Sequence, residues 1–439
     1  MANERPDPFE SARALFIEGV ALFEAGRHAD AEQRLEASLA LLPGRVSTLI
    51  NLGAARLALG RPADALAALD AVIAAEPQHA DAWCHRGSAC SELGRDDEAL
   101  ASFDRALALD GGNGAARYQR ALSLARLGRH AEALPALETL LRDEPERSRA
   151  WMLHGQTLQS LGRHAEATAS YQRAVAIEPG LGPAWSHLGQ LLKDLGRVDD
   201  AASAFERAIA GGADAEMNRY FLAGLSGRGA PAATPRSYVR ALFDSYADDF
   251  ESHLVQVLRY RAHEAVVQAA QALQRGPLQS ALDLGCGTGL CGPLLKALAA
   301  RVEGVDLSPT MLARARARGV YDELAEAEIA EHLQATPRRH DLVVAADVLI
   351  YVGDVAAVFA GVRRVLNRGG VFAFSIEAAA DDEANGFVLR SSLRYAHSEH
   401  YVRAQAHGHG FELLALRRTP LREEQRQPIE GLIVCLGAA

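Results

Sequence analysis

The chain has 439 residues, 49% hydrophobic and 23% charged, a composition that excludes wholesale disorder and points to more than one folding unit. A formal charge of -10 opposes the diffuse attraction to phosphate that non-specific nucleic-acid binders depend on, so no nucleic acid is expected as partner. Five cysteines (Cys84, Cys90, Cys286, Cys291, Cys435) form no CxxC pair, the N-terminus has acids and prolines in place of an apolar run, and no stretch approaches the roughly 18 apolar residues of a spanning helix; a cytoplasmic protein with no membrane span and no secretory signal is expected.

Self-comparison of the first half shows a Gly-Arg pair at Gly26, Gly60, Gly94, Gly128, Gly162 and Gly196, each 34 residues after the last. A small residue stands seven before each glycine (Gly19, Gly53, Gly87, Ala121, Gly155, Gly189), and an alanine five after it (Ala31, Ala65, Ala99, Ala133, Ala167, Ala201). Apolar residues between these anchors keep helical spacing, so each period reads as two helices broken by the Gly-Arg turn. Pro43, Pro77, Pro145 and Pro179 mark where four of the second helices stop, because proline lacks the N–H and restricts its predecessor. Trp83, Trp151 and Trp185 share one repeat position and read as packing anchors.

With this period and these anchors, residues 12–215 resemble six tandem tetratricopeptide (TPR) repeats. The resemblance implies a right-handed superhelix whose concave face receives a protein or peptide partner, through positions including Asn51, His85, Tyr118, Met152, Gln156 and His187. A further helix over 216–225 is expected to cap the array, giving a first domain at 12–225; the Gly, Pro and Ser of 226–236 read as a linker.

From 237 to 439 the pattern changes to alternating helical and β-rich runs, an α/β domain. A helical stretch over 237–273 precedes candidate strands at 280–284, 302–305, 323–327, 342–346 and 370–376. A late, antiparallel pair follows at 411–416 and 431–436. The other strands should run parallel, with helices on both faces.

The first of these strands ends in Asp283, Leu284, Gly285, Cys286, Gly287, Thr288 and Gly289. Alternating glycines let the backbone turn sharply and approach a ligand where any Cβ would prevent it. The next strand delivers Asp306 at its C-terminal end, 17 residues after Gly289, and a carboxylate there can accept both hydroxyls of a ribose. Ser308 and Pro309 read as N-cap and first helical residue just beyond it. Position 290 is Leu, so the third glycine of a dinucleotide fingerprint is missing, which disfavours a nicotinamide-dependent oxidoreductase.

This run resembles motif I of the class I S-adenosylmethionine-dependent methyltransferases, and Asp306 matches that family's second acidic motif. The resemblance implies an α + α/β protein, an N-terminal all-α superhelix followed by a Rossmann-like seven-stranded methyltransferase domain, with S-adenosyl-L-methionine as cofactor. The repeats and this domain together look like a bacterial group of repeat-containing methyltransferases. Carried over residue by residue, Asp283, Gly285, Cys286, Gly287 and Gly289 meet the methionyl and ribose part, Asp306 binds the ribose hydroxyls with Leu307 beside it, and Glu328 and Ile329 flank the adenine. Tyr246 and Phe250 precede motif I in the segment that resembles a lid; they either cover the cofactor or pack their helix against the sheet. Asp347, ending the fourth strand, is a candidate for the cofactor and for a general base, with Tyr351 close by. Its other reading is a helix cap or loop acceptor. His397, in the polar run before the final hairpin, is the third catalytic candidate, facing the acceptor. No metal is expected, since His397, His400, His407 and His409 lack companions at a ligand spacing. The function expected is methyl transfer to an acceptor recruited by the array; the alternative is a repeat scaffold that senses cofactor and transfers nothing.

Overall fold

A computed structural model of the chain describes residues 7–227, 229–246, 260–273, 276–381, 383, 385–424 and 427–438. Two compact units divide it, Met1–Ala213 and Asp214–Ala439. Among the described residues no helix is long and apolar enough to cross a membrane.

The first unit is built from helix pairs: α1 (Pro8–Glu24) with α2 (His28–Leu41), α3 (Val46–Ala58) with α4 (Pro62–Ala75), α5 (Ala80–Glu92) with α6 (Asp96–Leu109), α7 (Gly114–Arg126) with α8 (His130–Asp143), α9 (Ser148–Ser160) with α10 (His164–Ile177), and α11 (Gly182–Asp194) with α12 (Val198–Ala210). Each Gly of the Gly-Arg pairs is left-handed, with φ between 68° and 74°, which ends one helix and starts the next. The arginine then pairs with an acid three residues on, as Arg95 does with Glu98 and Arg163 with Glu166. The small residue of the period has a packing reason. A Cβ on Gly87 would stand 2.5 Å from Phe103, and one on Gly155 2.7 Å from Tyr171, so the glycine admits the large side chain of its partner helix. The three tryptophans do anchor the repeats: Trp83, Trp151 and Trp185 each donate their indole N–H to the carbonyl of Pro77, Pro145 and Pro179 at 2.8–2.9 Å.

The second unit opens with α13 (Ala215–Ser226), the helix expected to cap the array. It packs within this unit: Tyr220 is fully buried and donates its hydroxyl to Leu393 O at 2.6 Å. Then come α14 (Arg236–Tyr246), α15 (Ala262–Gln271), β1 (Leu278–Leu284), α16 (Gly292–Lys296), β2 (Ala299–Asp306), α17 (Pro309–Ala317), β3 (Glu323–Glu326), α18 (Ile329–Ala335), β4 (His340–Ala345), α19 (Ala356–Val365), β5 (Leu366–Ala378), β6 (Phe387–Leu389), β7 (Tyr395–His397), α20 (Glu399–Gly408), β8 (Phe411–Glu424) and β9 (Gln427–Ala438). The strands run β3-β2-β1-β4-β5 in parallel; β9 lies antiparallel along β5, and β8 pairs with β9 outside it. Seven of these strands follow the sequence reading. β6 and β7 are an added three-residue hairpin at the end of β5, too short to leave a periodic signal. Alternation along each central strand feeds two cores: Leu282, Val343, Phe372 and Phe374 on one face, and Ala281, Leu342, Val344 and Ala373 on the other. Strand order reverses between β1 and β4, which opens a crevice beyond their C-terminal ends.

Candidate functional site

That crevice is a cleft of about 1050 Å³ within the second unit. Its floor is the turn after β1. Gly285 has φ +62, and a Cβ there would meet Val348 at 2.5 Å; Gly287 has φ +53 with open space where a side chain would stand. The first glycine is required by packing and the second leaves room for a ligand. Asp306 ends β2 and lines the cleft, its Oδ2 accepting from Gly287 N at 2.8 Å and its Oδ1 from Ser308 N at 2.9 Å. Each oxygen keeps a further lone pair for a hydroxyl donor. Ser308 caps α17 by accepting from Met311 N, and its hydroxyl donates to Asp244 of α14 at 2.6 Å. This bond ties α14 to the rim beside the acid.

Asp283 is buried at 1% exposure and accepts from the Tyr321 hydroxyl at 2.7 Å. Burial pushes its carboxyl up from 3.8 to about 7, with Tyr321 opposing and Asp306 adding. A carboxyl raised in the folded state binds protons that the unfolded chain has released. Its contribution to stability is therefore complete below about pH 3.8 and is lost as pH rises to about 7. Thermal unfolding from pH 5 to 7.5 should show Asp283→Asn gaining on the native chain as pH rises. Parallel profiles for the two would contradict the buried, partly protonated Asp283.

Beyond β4, Asp347 holds a left-handed backbone (φ 61) unusual for a residue with a Cβ, and its N–H donates to Ser375 Oγ at 2.8 Å. Its carboxylate accepts from Arg422 of β8, 3.1 Å from Oδ1 and 3.4 Å from Oδ2. Arg422 is 1% exposed and also pairs with Glu377, which in turn accepts from Arg390 at 2.9 Å. Asp347 is thus more than a loop cap: it belongs to a buried network of two acids and two arginines. Tyr351 lines the same wall, its ring edge-on to Phe243 of α14 at 5.5 Å. Burial pushes its phenol up, while the Arg394 guanidinium pulls it down.

Asp283, Gly285, Cys286, Gly287, Asp306, Leu307, Glu328, Ile329, Asp347 and Tyr351 all line the cleft. Glu328 caps α18, accepting from Glu331 N at 2.9 Å. Burial keeps the Cys286 thiol well above its usual range and so unreactive. Two expectations need correction. Gly289 (φ +88) is not part of the lining; it lets Tyr321 and Arg318 close on the turn, 2.9 and 3.0 Å from where a Cβ would stand. His397 is fully buried away from the cleft and donates Nε2–H to the carbonyls of Val352 and Gly353 at 2.9 and 3.0 Å. Burial holds it down to about 4, so it is a neutral structural donor and does not face an acceptor. Phe250 lies outside the described residues, as does the side chain of Tyr246.

Arg422, Tyr260 and His263 line the cleft and were missed, as was the segment 231–234; of the polar run before the final hairpin, Arg394 lines the cleft. That segment, read as linker, is pinned. Thr234 N donates to Tyr351 O at 2.9 Å, Gly353 N and Asp354 N both donate to Ala232 O at 2.8 Å, and the Tyr395 hydroxyl donates to Pro231 O at 2.7 Å. Its only sequence signal was the pair of prolines, which fit an ordered extended segment as well as a linker.

A family described as "Methyltransferase domain" matches residues 282–374, which contain the turn, Asp306 and Asp347. Families described as "Tetratricopeptide repeat" match 9–46, 50–114 and 118–181, and 158–219. The chain carries tetratricopeptide repeats and a methyltransferase domain. A ubiquinone biosynthesis O-methyltransferase of Thiobacillus denitrificans is 35% identical over 109 residues, 23% of this chain and 46% of that protein. Methyltransferase-like protein 27 of Homo sapiens is 38% identical over 86 residues, 19% and 35% respectively. The chain therefore spans less than half the length of these curated relatives. Among solved structures, magnesium protoporphyrin IX methyltransferase from Synechocystis PCC 6803 with bound SAM is 21% identical, covering 48% of this chain and 100% of that one at a TM-score of 0.36. The donor set of the cleft suits a nucleoside with a positive charge nearby: buried carboxylates for its hydroxyls and that charge, and an uncluttered glycine turn.

Proposed function

We propose that this chain is a class I S-adenosylmethionine-dependent methyltransferase whose repeat array recruits a protein substrate, or a partner that carries the acceptor. The observation that carries the reading is Asp306, presented by β2 into the cleft and bonded at 2.8 Å to the N–H of Gly287. Turn and acid are thereby one unit, holding the sugar between backbone and carboxylate. Gly285, Cys286 and Gly287 offer backbone to the sugar and methionyl part. Asp283 offers its carboxyl to the methionyl end, and Leu307, Glu328 and Ile329 enclose the adenine. When bound, S-adenosylmethionine supplies a methyl group already activated on sulfur. What remains for the chain is to orient the acceptor, exclude water and, where the acceptor must lose a proton, accept it. We assign that role to Asp347, which lines the cleft together with Tyr351.

Titration calorimetry on the full chain tests the reading. The native chain should bind S-adenosylmethionine, and Asp306→Ala should weaken binding about 100-fold, as expected for losing two hydrogen bonds to a charged group. Equal binding by native and variant chains would refute the assignment.

A further inference from the structure

One position of the repeat changes character along the array. Arg86, Arg120 and His154 stand 34 residues apart, at the same place on the first helix of their repeats, and an acid of the preceding helix keeps step with them as Asp70, Asp104 and Glu138. Arg86 pairs with Asp70 at 2.8 Å and Arg120 with Asp104 at 2.6 Å. Arg86 also donates to Ser102 Oγ at 2.7 Å and lies over the Trp83 ring, 5.8 Å from its centroid. The fifth repeat keeps all three partners, with Glu138 for Asp70, Ser170 for Ser102 and Trp151 for Trp83, and lacks the guanidinium. Between α8 and α9 lies a pocket of about 260 Å³, lined by Glu138, Leu141, Arg142, Trp151 and His154.

The chemistry of this pocket suits a donor. Ser170 gives its hydrogen to Glu166 O at 2.8 Å, so its Oγ accepts from His154 Nδ1 at 2.9 Å. Burial holds the imidazole below its ordinary value, with Glu138 opposing, so the ring is neutral and carries its one hydrogen on Nδ1. That leaves Nε2 as an acceptor, and it has no partner among the described residues. Glu138 is in no ion pair among those residues either. Arg207 lies over Trp185 at 4.7 Å as Arg86 does over Trp83, whereas Trp151 meets the His154 ring at right angles, 5.7 Å away. A carboxylate, an imidazole acceptor and an indole ring together match a flat cation with several N–H donors, and Leu141 offers an apolar wall to its stem.

We propose that this pocket binds an arginine side chain of a partner protein, seated where Arg86 sits in its own repeat. The guanidinium lies against Trp151 and donates to Glu138 and to His154 Nε2. None of the concave-face positions His85, Tyr118, Met152, Gln156 or His187 lines the pocket, so this contact is separate from a peptide held on that face.

Fluorine NMR of the full chain, carrying fluorotryptophan at its three tryptophans, reads the pocket, with N-acetyl-L-arginine amide as probe and the uncharged citrulline derivative as control. The Trp151 signal should move saturably with the arginine derivative at millimolar concentration and stay in place with citrulline, while the signals of Trp83 and Trp185, each already under an arginine, do not move. Glu138→Gln should weaken binding about threefold. His154→Arg should abolish it and raise the unfolding midpoint of the array, because the repeat then fills its own pocket. Arg142→Gln, which removes a like charge from the lining, should strengthen it. Equal responses to the two derivatives, movement of all three signals together, or a native response in His154→Arg would overturn the proposal. Tighter binding of free L-arginine than of the amide would assign the pocket to the free amino acid, and loss of the response in Arg142→Gln would assign it to an anion. A native dimer that His154→Arg makes monomeric would assign it to a second copy of this chain. Each of these three results overturns the reading of a partner's arginine.

Discussion

Replacing Arg422 with methionine should lower the unfolding midpoint of the second unit by about 10 °C, the largest single-residue effect expected outside the hydrophobic core. Arg422 sits at 1% exposure between Asp347 and Glu377, themselves 15% and 2% exposed. Removing one member of a buried pair leaves charge with neither water nor partner, a loss of about 3–5 kcal/mol. Glu377 retains Arg390, so the heavier penalty falls on Asp347, whose left-handed backbone is already costly. Adding Asp347→Asn to Arg422→Met should therefore recover part of the midpoint. A change of less than about 2 °C in the single variant would mean that water reaches these groups and the network is not closed. The same variant should bind S-adenosylmethionine more weakly, because Asp347 would no longer be fixed at the cleft wall.

Arg422 also shows where sequence reading stops. The first strand of the late pair was expected to end at 416, short of Arg417, Arg418, Pro420, Arg422, Glu423 and Glu424. In the fold β8 continues to Glu424. Its outer edge needs no N–H from Pro420, and a register shift between Pro420 and Arg422 absorbs the proline. What turns Arg422 inward is a pair of carboxylates 75 and 45 residues away, which no local pattern encodes. His397 failed for a related reason: its polar neighbourhood is sequence-local, whereas its partners are carbonyls 44 and 45 residues earlier. The repeats and the turn after β1 were legible because their constraints are local. Each Gly-Arg glycine needs a positive φ at one position, and Gly87 or Gly155 answers to a side chain 16 residues away in the same helix pair. The acid at the end of β2 was legible because a strand end and a helix cap bracket it within three residues.

The segment 231–234 leads to the second large effect. A chain beginning at Ser237, where the second domain was expected to start, should lose S-adenosylmethionine binding and cooperative unfolding, whereas one beginning at Asp214 should keep both. Without the segment, the N–H groups of Gly353 and Asp354, the carbonyl of Tyr351 and the Tyr395 hydroxyl lose their partners beside the cleft. Groups left unsatisfied in this way cost about 1–3 kcal/mol each where water cannot replace the partner, and together these approach the stability of a typical domain. Loss of α13 compounds this, because Tyr220 fills the core beneath the segment, its hydroxyl 3.0 Å from Thr234 Oγ1 and bonded to Leu393 O. Thermal unfolding and titration calorimetry of the two chains decide the matter. If the chain from Ser237 binds as tightly as the chain from Asp214, the segment is only a tether; if it melts without a transition while the longer chain melts sharply, residues 214–236 are the first wall of the methyltransferase domain.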